Sequence, residues 1–173
     1  DELQTMRIGI AGAGAIGRSV AVELLAYGHK ILLIENNVRH YEPQTVPGAD
    51  WLLADACELS SLEEAEMQLC DVVIAATGDD KVNLTTSLLA KTEFAVPRVV
   101  ARVNRAENEW LFTEQWGVDV SVSKPRLMAA LASIPSVKGV AIGAGDDAPA
   151  SAGSLFHGAI QWEGGGGRLG RPT

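Results

Sequence analysis

Residues 7–18 read Arg-Ile-Gly-Ile-Ala-Gly-Ala-Gly-Ala-Ile-Gly-Arg, and Gly12, Gly14 and Gly17 form a G-x-G-x-x-G turn. The turn follows an apolar run, Ile8 to Ala11, and opens a helix-like run with Ile16, Val20 and Leu24 at spacing four. A strand must therefore feed directly into a helix. The first glycine permits the tight turn, the second lets the backbone approach a pyrophosphate, and the third allows the helix to pack closely on the strand. The amides from Gly14 through Ala15, Ile16 and Gly17 open this helix, where unpaired N–H groups and the positive end of the helix dipole favour phosphates.

A second apolar run, Ile31 to Ile34, ends in Glu35, roughly 20 residues beyond the glycines, where this fingerprint carries an acid. A carboxylate there can accept both ribose hydroxyls of an adenosine and would repel a 2′-phosphate. NAD or an adenine nucleotide is thus favoured over NADP. The competing reading is a unit of the same fold that has lost its ligand.

Beyond the turn, strands and helices alternate, which implies a doubly wound, Rossmann-like α/β fold with a parallel sheet of about six strands covered on both faces. The pattern predicts helices over Ala15 to Tyr27, from the capping-box pair Ser60-Ser61 to about Leu69, from an Asp79 cap to about Lys91, over Ala106 to Gln115, and from Pro125 onward. Strands are expected at Ile31 to Ile34, Trp51 to Ala54, Val72 to Ala76, Arg98 to Val103 and Val118 to Val122. Residues 36–49 read as a loop with at most one helical turn, and Trp110, Leu111 and Trp116 as the apolar side of their helix.

With 173 residues, 47% of them hydrophobic, the chain can build one domain with a proper core but not two large ones. A net charge of −8 argues against a nucleic-acid partner or an anionic membrane surface. No apolar stretch approaches the ~20 residues that span a bilayer, and no basic-then-apolar leader opens the sequence. A soluble cytosolic protein is expected, with any membrane role exercised through a partner. Cys57 and Cys70 read as free thiols of a reducing compartment. His29, in a helix-to-strand turn, is expected at the surface; His40 lies in a polar loop and His157 in a Gly/Ser-rich stretch, and none has a partner at metal-ligand spacing.

Ligands of such sheets bind outside the carboxyl ends of the strands, where the strand order reverses. The residues expected there are Gly12 to Arg18, Glu35, Asn36, Asp55, Ala56, Thr77, Gly78 and Arg102. Asp55 and Ala56 can meet an adenine edge through a carboxylate and a backbone N–H, although Asp55 reads equally well as a cap or turn residue. Thr77 and Gly78 can pack against ribose and phosphates. Arg18 can bring a guanidinium to a phosphate, reach a neighbouring subunit's ligand, or face solvent. No histidine or lysine falls at a strand exit where a general acid or base would be needed. The expectation is a binding site without catalytic residues.

Residues 6–128 closely resemble the N-terminal half of a regulator of potassium conductance domain, as found in the Trk/Ktr potassium-uptake regulators of bacteria. The resemblance rests on Ile10 to Arg18, Leu32-Leu-Ile-Glu35, Ala54-Asp-Ala56, Val100-Ala-Arg-Val-Asn104 and above all Cys70-Asp-Val-Val-Ile-Ala-Ala-Thr-Gly-Asp-Asp-Lys-Val-Asn83. It implies a cytoplasmic regulatory subunit that binds NAD(H) or ADP/ATP, dimerises or forms rings, and controls a membrane potassium channel. By position it implies that Gly12, Gly14, Gly17, Glu35, Asp55 and Thr77 contact nucleotide, with Arg18 near the phosphates.

Residues 129–173 depart from that pattern. Ile134 to Gly145, Gly153-Ser154, His157 and Gly170-Arg-Pro-Thr173 resemble a piece of chorismate synthase, with Ala141 where that family has glutamate and Gly158-Ala159 where it has Asp-Glu. One reading is a chimeric, frameshifted or artificially joined tail; the other is an unrelated one. Gly, Ala, Ser and Pro dominate residues 144–173, so poor order is expected there. Two rival functions follow: the cofactor domain of an NAD-dependent oxidoreductase, and, from the tail alone, a fragment of a shikimate-pathway enzyme.

Overall fold

The computed structural model describes residues 5–133 and 140–142. The expected disorder of residues 144–173 and His157 lie outside them. Seven strands, β1 (Arg7–Ala11), β2 (Lys30–Glu35), β3 (Asp50–Leu53), β4 (Val72–Ala75), β5 (Arg98–Arg102), β6 (Val120–Val122) and β7 (Val140–Ile142), form one sheet in the order β3-β2-β1-β4-β5-β6-β7. Every pairing is parallel. The helices are α1 (Ala15–Ala26), α2 (Leu59–Glu64), α3 (Asp80–Thr92) and α4 (Met128–Ser133). The first six strands are the doubly wound arrangement expected. The seventh is an addition: Val140 pairs with Val120 and Ile142 with Val122. The free edge of β6 offers unpaired backbone groups, and a short apolar run satisfies them.

Alternation along the buried strands divides the core. Ile8, Ile10, Ile31, Leu33, Val72 and Ile74 face α1 and α4, meeting Val20, Ala21, Leu24, Met128 and Ala132. Ala11, Ile34, Val73 and Val99 face the other way, onto Leu62, Met67, Ala90 and Phe94. Burying each of the larger aliphatic side chains contributes roughly 1.5–3 kcal/mol. On α1 the fully covered positions Gly17, Val20, Ala21 and Leu24 follow the i, i+3, i+4, i+7 spacing of a helix face.

Several local expectations give way to tertiary context. Ser60 and Ser61 sit inside α2, whose N-cap is Glu58 without a side-chain cap bond; α2 stops at Glu64, and a left-handed Glu66 (φ 53°) separates it from a 3-10 turn over Met67–Leu69. The 36–49 loop holds two 3-10 turns, Val38–His40 and Pro43–Thr45. Residues 106–116 form 3-10 turns, Ala106–Leu111 and Glu114–Trp116, instead of an α-helix. The cause is Asp80. Its carboxylate accepts the N–H groups of Asn104 (2.7 Å) and Arg105 (3.0 Å) and the Asn108 side-chain amide (2.9 Å), which pins the entry of this segment. Phe112 then enters the core, while Trp110 is 74% exposed. His29, expected at the surface, is buried, and its Nδ1 accepts the Met6 N–H at 3.1 Å. Burial holds its pKa below the ordinary histidine value.

Candidate functional site

The order of strands reverses around β1, with β2 and β3 on one side and β4 and β5 on the other. A cavity of about 530 Å³ opens there, beyond the carboxyl ends of the strands. Its position follows from the topology, since crossovers on either side of the switch point leave their connecting loops diverging.

The glycine turn makes one wall. Gly12 takes φ +102° and donates its N–H to Ile34 O at 2.8 Å, and a Cβ there would lie 3.0 Å from the Thr77 nitrogen. At Gly17 a Cβ would sit 1.7 Å from Gly12 O. These two glycines therefore let helix, turn and neighbouring strand touch. Gly14, the N-cap of α1, has nothing within 4 Å of a built Cβ and faces the cavity with Ala15 and Ile16. No side chain caps α1, so its first N–H groups are directed at whatever enters.

Glu35, only 7% exposed, closes the adjoining side. Its Oε1 accepts the Ala13 N–H at 2.8 Å and its Oε2 the Asn37 N–H at 2.9 Å. One carboxylate thus fastens the glycine turn to the exit of β2. An ionised carboxylate has about four lone-pair directions, so both oxygens can still accept a hydroxyl. Asn36 lines the cavity beside it.

At the exit of β3, Asp55 and Ala56 also line the cavity. Asp55 Oδ1 accepts the Cys57 N–H at 2.8 Å, so the residue is a turn former and a wall residue together. Burial first, then the Asp55 carboxylate, push the Cys57 thiol upward and keep it protonated. Across the cavity, Thr77 and Gly78 follow β4 and Arg102 ends β5. Gly78, like Gly14, has open space where a Cβ would be. Asp79 caps α3 by accepting the Lys81 and Val82 N–H groups.

The structure thus gathers eleven of the fourteen expected residues around one cavity: Gly12, Gly14, Ala15, Ile16, Glu35, Asn36, Asp55, Ala56, Thr77, Gly78 and Arg102; Ala13 lies behind the turn, its N–H held by Glu35. Gly17 lies beneath the turn as a packing residue. Arg18 does not line the cavity; its guanidinium turns to Glu42 on the 36–49 loop, 3.7 Å away. Sequence reasoning passed over Asn37, His40, Asp79 and Val82, which also line the wall. Their signal was proximity alone: two follow Glu35 and two follow Thr77-Gly78.

The Trk system potassium uptake protein TrkA of Mycobacterium tuberculosis is 62% identical over 126 residues, 73% of this chain. The chain spans 57% of the length of that relative. The TrkA-N domain of the inner membrane protein ybaL from Escherichia coli superposes with a TM-score of 0.62 at 16% identity, over 74% of this chain and 94% of that domain. The GsuK channel bound to NAD gives the same TM-score and identity, over 76% of this chain and 24% of the channel chain. At such identity these two structures speak for the fold. The family model for the TrkA-N domain matches residues 8–124, the span that carries the sheet through β6 and every wall of the cavity, and the chain belongs to the TrkA-N domain family.

Proposed function

We propose that this protein is a nucleotide-binding regulatory subunit of a potassium-uptake system, gated by its ligand and not catalytic, with NAD(H) or ADP/ATP as the nucleotide. The observation that carries the reading is the pairing of an open, uncapped helix start at Gly14 with the Glu35 carboxylate, joined through Ala13. Such a pair suits a pyrophosphate beside an adenosine ribose. Gly12, Gly14, Ala15 and Ile16 would approach the phosphates, Glu35 and Asn36 the ribose, Asp55 and Ala56 the adenine. Thr77, Gly78 and Arg102 would receive the far end of the ligand. Gly17 supports the turn, and Arg18 reaches phosphate only by leaving Glu42. Residues 6–128 would be the ligand-binding unit and residues 129–173 an atypical addition to it.

The relative named for Trk potassium uptake and the channel solved with NAD support the biological setting. The chain would act on the inner face of the plasma membrane through a membrane channel partner, as a homodimer or ring. No helix among the described residues is long and apolar enough to cross a membrane. A nucleotide can shift such a channel only by binding one conformation of the assembly better than the other.

An oxidoreductase reading would recruit His40, which lines the cavity. His40, however, follows β2, on the adenosine side of the switch point, remote in the topology from the β4–β5 side where a second nucleoside would lie. Calorimetric titration of the protein with NADH, NAD, ATP and ADP tests the proposal. Micromolar binding of at least one is expected; binding of none removes it. Turnover of NADH at 340 nm with small carbonyl substrates would favour the enzymatic reading instead.

A further inference from the structure

Asn83 lies on the first turns of α3, is 0% exposed and does not itself line the cavity. Its carboxamide nevertheless holds the backbone of both strand ends that do. Oδ1 accepts the Thr77 N–H at 3.0 Å and the Thr77 hydroxyl at 2.6 Å. Nδ2 donates to Thr77 O at 3.0 Å and to Arg102 O at 2.9 Å. One planar group therefore ties the exit of β4 to the exit of β5. The backbone register of the pair ends with Ala75 opposite Ala101, short of both Thr77 and Arg102. Asn104 adds a parallel tie, donating Nδ2 to Thr77 O at 3.0 Å and to Asp80 Oδ1 at 3.1 Å.

We propose that Asn83 is a positioning residue for ligand binding: by fixing Thr77 and Arg102 from beneath, it sets the half of the cavity that meets the distal phosphate and second nucleoside. This rests on the nucleotide reading above. The division of the cavity comes from the topology. Glu35 and Asp55 belong to β2 and β3, on one side of β1, whereas Thr77 and Arg102 belong to β4 and β5, on the other. An adenosine seated at Glu35 directs the remainder of a dinucleotide across the glycine turn, toward Gly78 and Arg102. Thr77 gives its N–H to Asn83, and the adjoining cavity residue Gly78 has open space where a Cβ would be. A carboxamide suits the task because it both accepts and donates in one plane; leucine would fill the volume and make none of these bonds.

The test compares NADH with adenosine on the full chain by calorimetry, for the parent and for Asn83→Ala and Asn83→Ser. The expected result is a loss of NADH affinity of about tenfold or more, the scale seen when groups that orient ligating residues are removed, with adenosine affinity changed less than about twofold. Equal loss for both ligands, or unchanged NADH affinity in a folded variant, overturns the inference. Should both variants melt below the assay temperature, amide resonances of the parent decide. NADH is expected to shift Gly78 and Arg102 while adenosine leaves them in place; equal shifts with both ligands, or none with NADH, overturn it. A parent protein that binds neither ligand overturns the nucleotide reading and this inference with it.

Discussion

Replacing Gly17 by alanine separates the packing role of the third glycine from the ligand role of the second. A Cβ at Gly17 would lie 1.7 Å from Gly12 O, and Cβ atoms do not approach closer than 3.0 Å, so the turn must retreat by about 1.3 Å. Two bonds resist that movement: Gly12 N–H to Ile34 O and Ala13 N–H to the Glu35 carboxylate, each 2.8 Å. Losing the first costs about 1 kcal/mol and the second, to a charged acceptor, about 1.5–3 kcal/mol. The helix propensity of alanine returns at most about 1 kcal/mol. The net expectation is a loss of about 1.5–3 kcal/mol, a fall in melting temperature of about 3–12 °C for a domain of this size. Urea unfolding followed by tryptophan fluorescence reads this directly. Gly14→Ala is the matched control. Its φ of −73° suits any residue and nothing lies within 4 Å of its Cβ, so stability should stay within about 0.5 kcal/mol of the parent. NADH affinity should nonetheless fall at least about tenfold, because the new methyl occupies the path of the pyrophosphate. A Gly17→Ala protein as stable as the parent and equally able to bind NADH would refute the packing argument.

Three further outcomes are expected. Burial depresses the His29 pKa, so on acidification the unfolded chain takes up the proton first, and stability declines as pH drops below about 6.5 toward the folded value; His29→Gln should flatten that slope in unfolding measurements between pH 7 and 5. Burial opposes ionisation of Asp80, but hydrogen bonds from the Asn108 side chain and from Asn104 and Arg105 outweigh it and hold the carboxyl below the usual range. Asp80→Asn should therefore cost about 2 kcal/mol at neutral pH, and the gap between parent and variant should close as pH falls beneath about 4; a pH-independent gap would contradict this. Lys91 donates Nζ to Val96 O and Pro97 O at 3.1 Å and to Asp119 at 2.5 Å, while Asp119 also accepts the Val99 N–H. Lys91→Met removes the direct ion-pair partner of the buried Asp119 carboxylate while the neighbouring Arg98 charge remains, and should cost about 1–3 kcal/mol, reduced from a fully buried pair because the lysine side chain is 27% exposed; a neutral or stabilising effect in urea unfolding would show the pair to be dispensable.

Those predictions depend on contacts of different reach, and so did legibility. The glycine turn, the acid at the end of β2 and the Asp79 cap act over one turn of chain or one crossover. Their residue types answer local backbone demands, so spacing alone revealed them. The apolar runs of a parallel sheet, covered on both faces, announced six strands for the same reason.

Other features belong to partners far apart in sequence. Nothing near His29 indicated that its Nδ1 would cap Met6, 23 residues away. The segment 106–116 carries helix-like spacing, yet Asp80, 24 residues before Asn104, claims its first donors and Phe112 displaces Trp110 as the inward aromatic. Arg18 could have met a phosphate, a neighbouring subunit's ligand or solvent, and its guanidinium lies 3.7 Å from a loop carboxylate, Glu42. The chain by itself determined that a strand, a glycine turn and a helix would meet beside the acid that ends β2, because those demands are local and steric. Only the tertiary structure decided which polar groups remain to serve the cavity there, because burial makes every unpaired donor costly and long-range partners compete for each one.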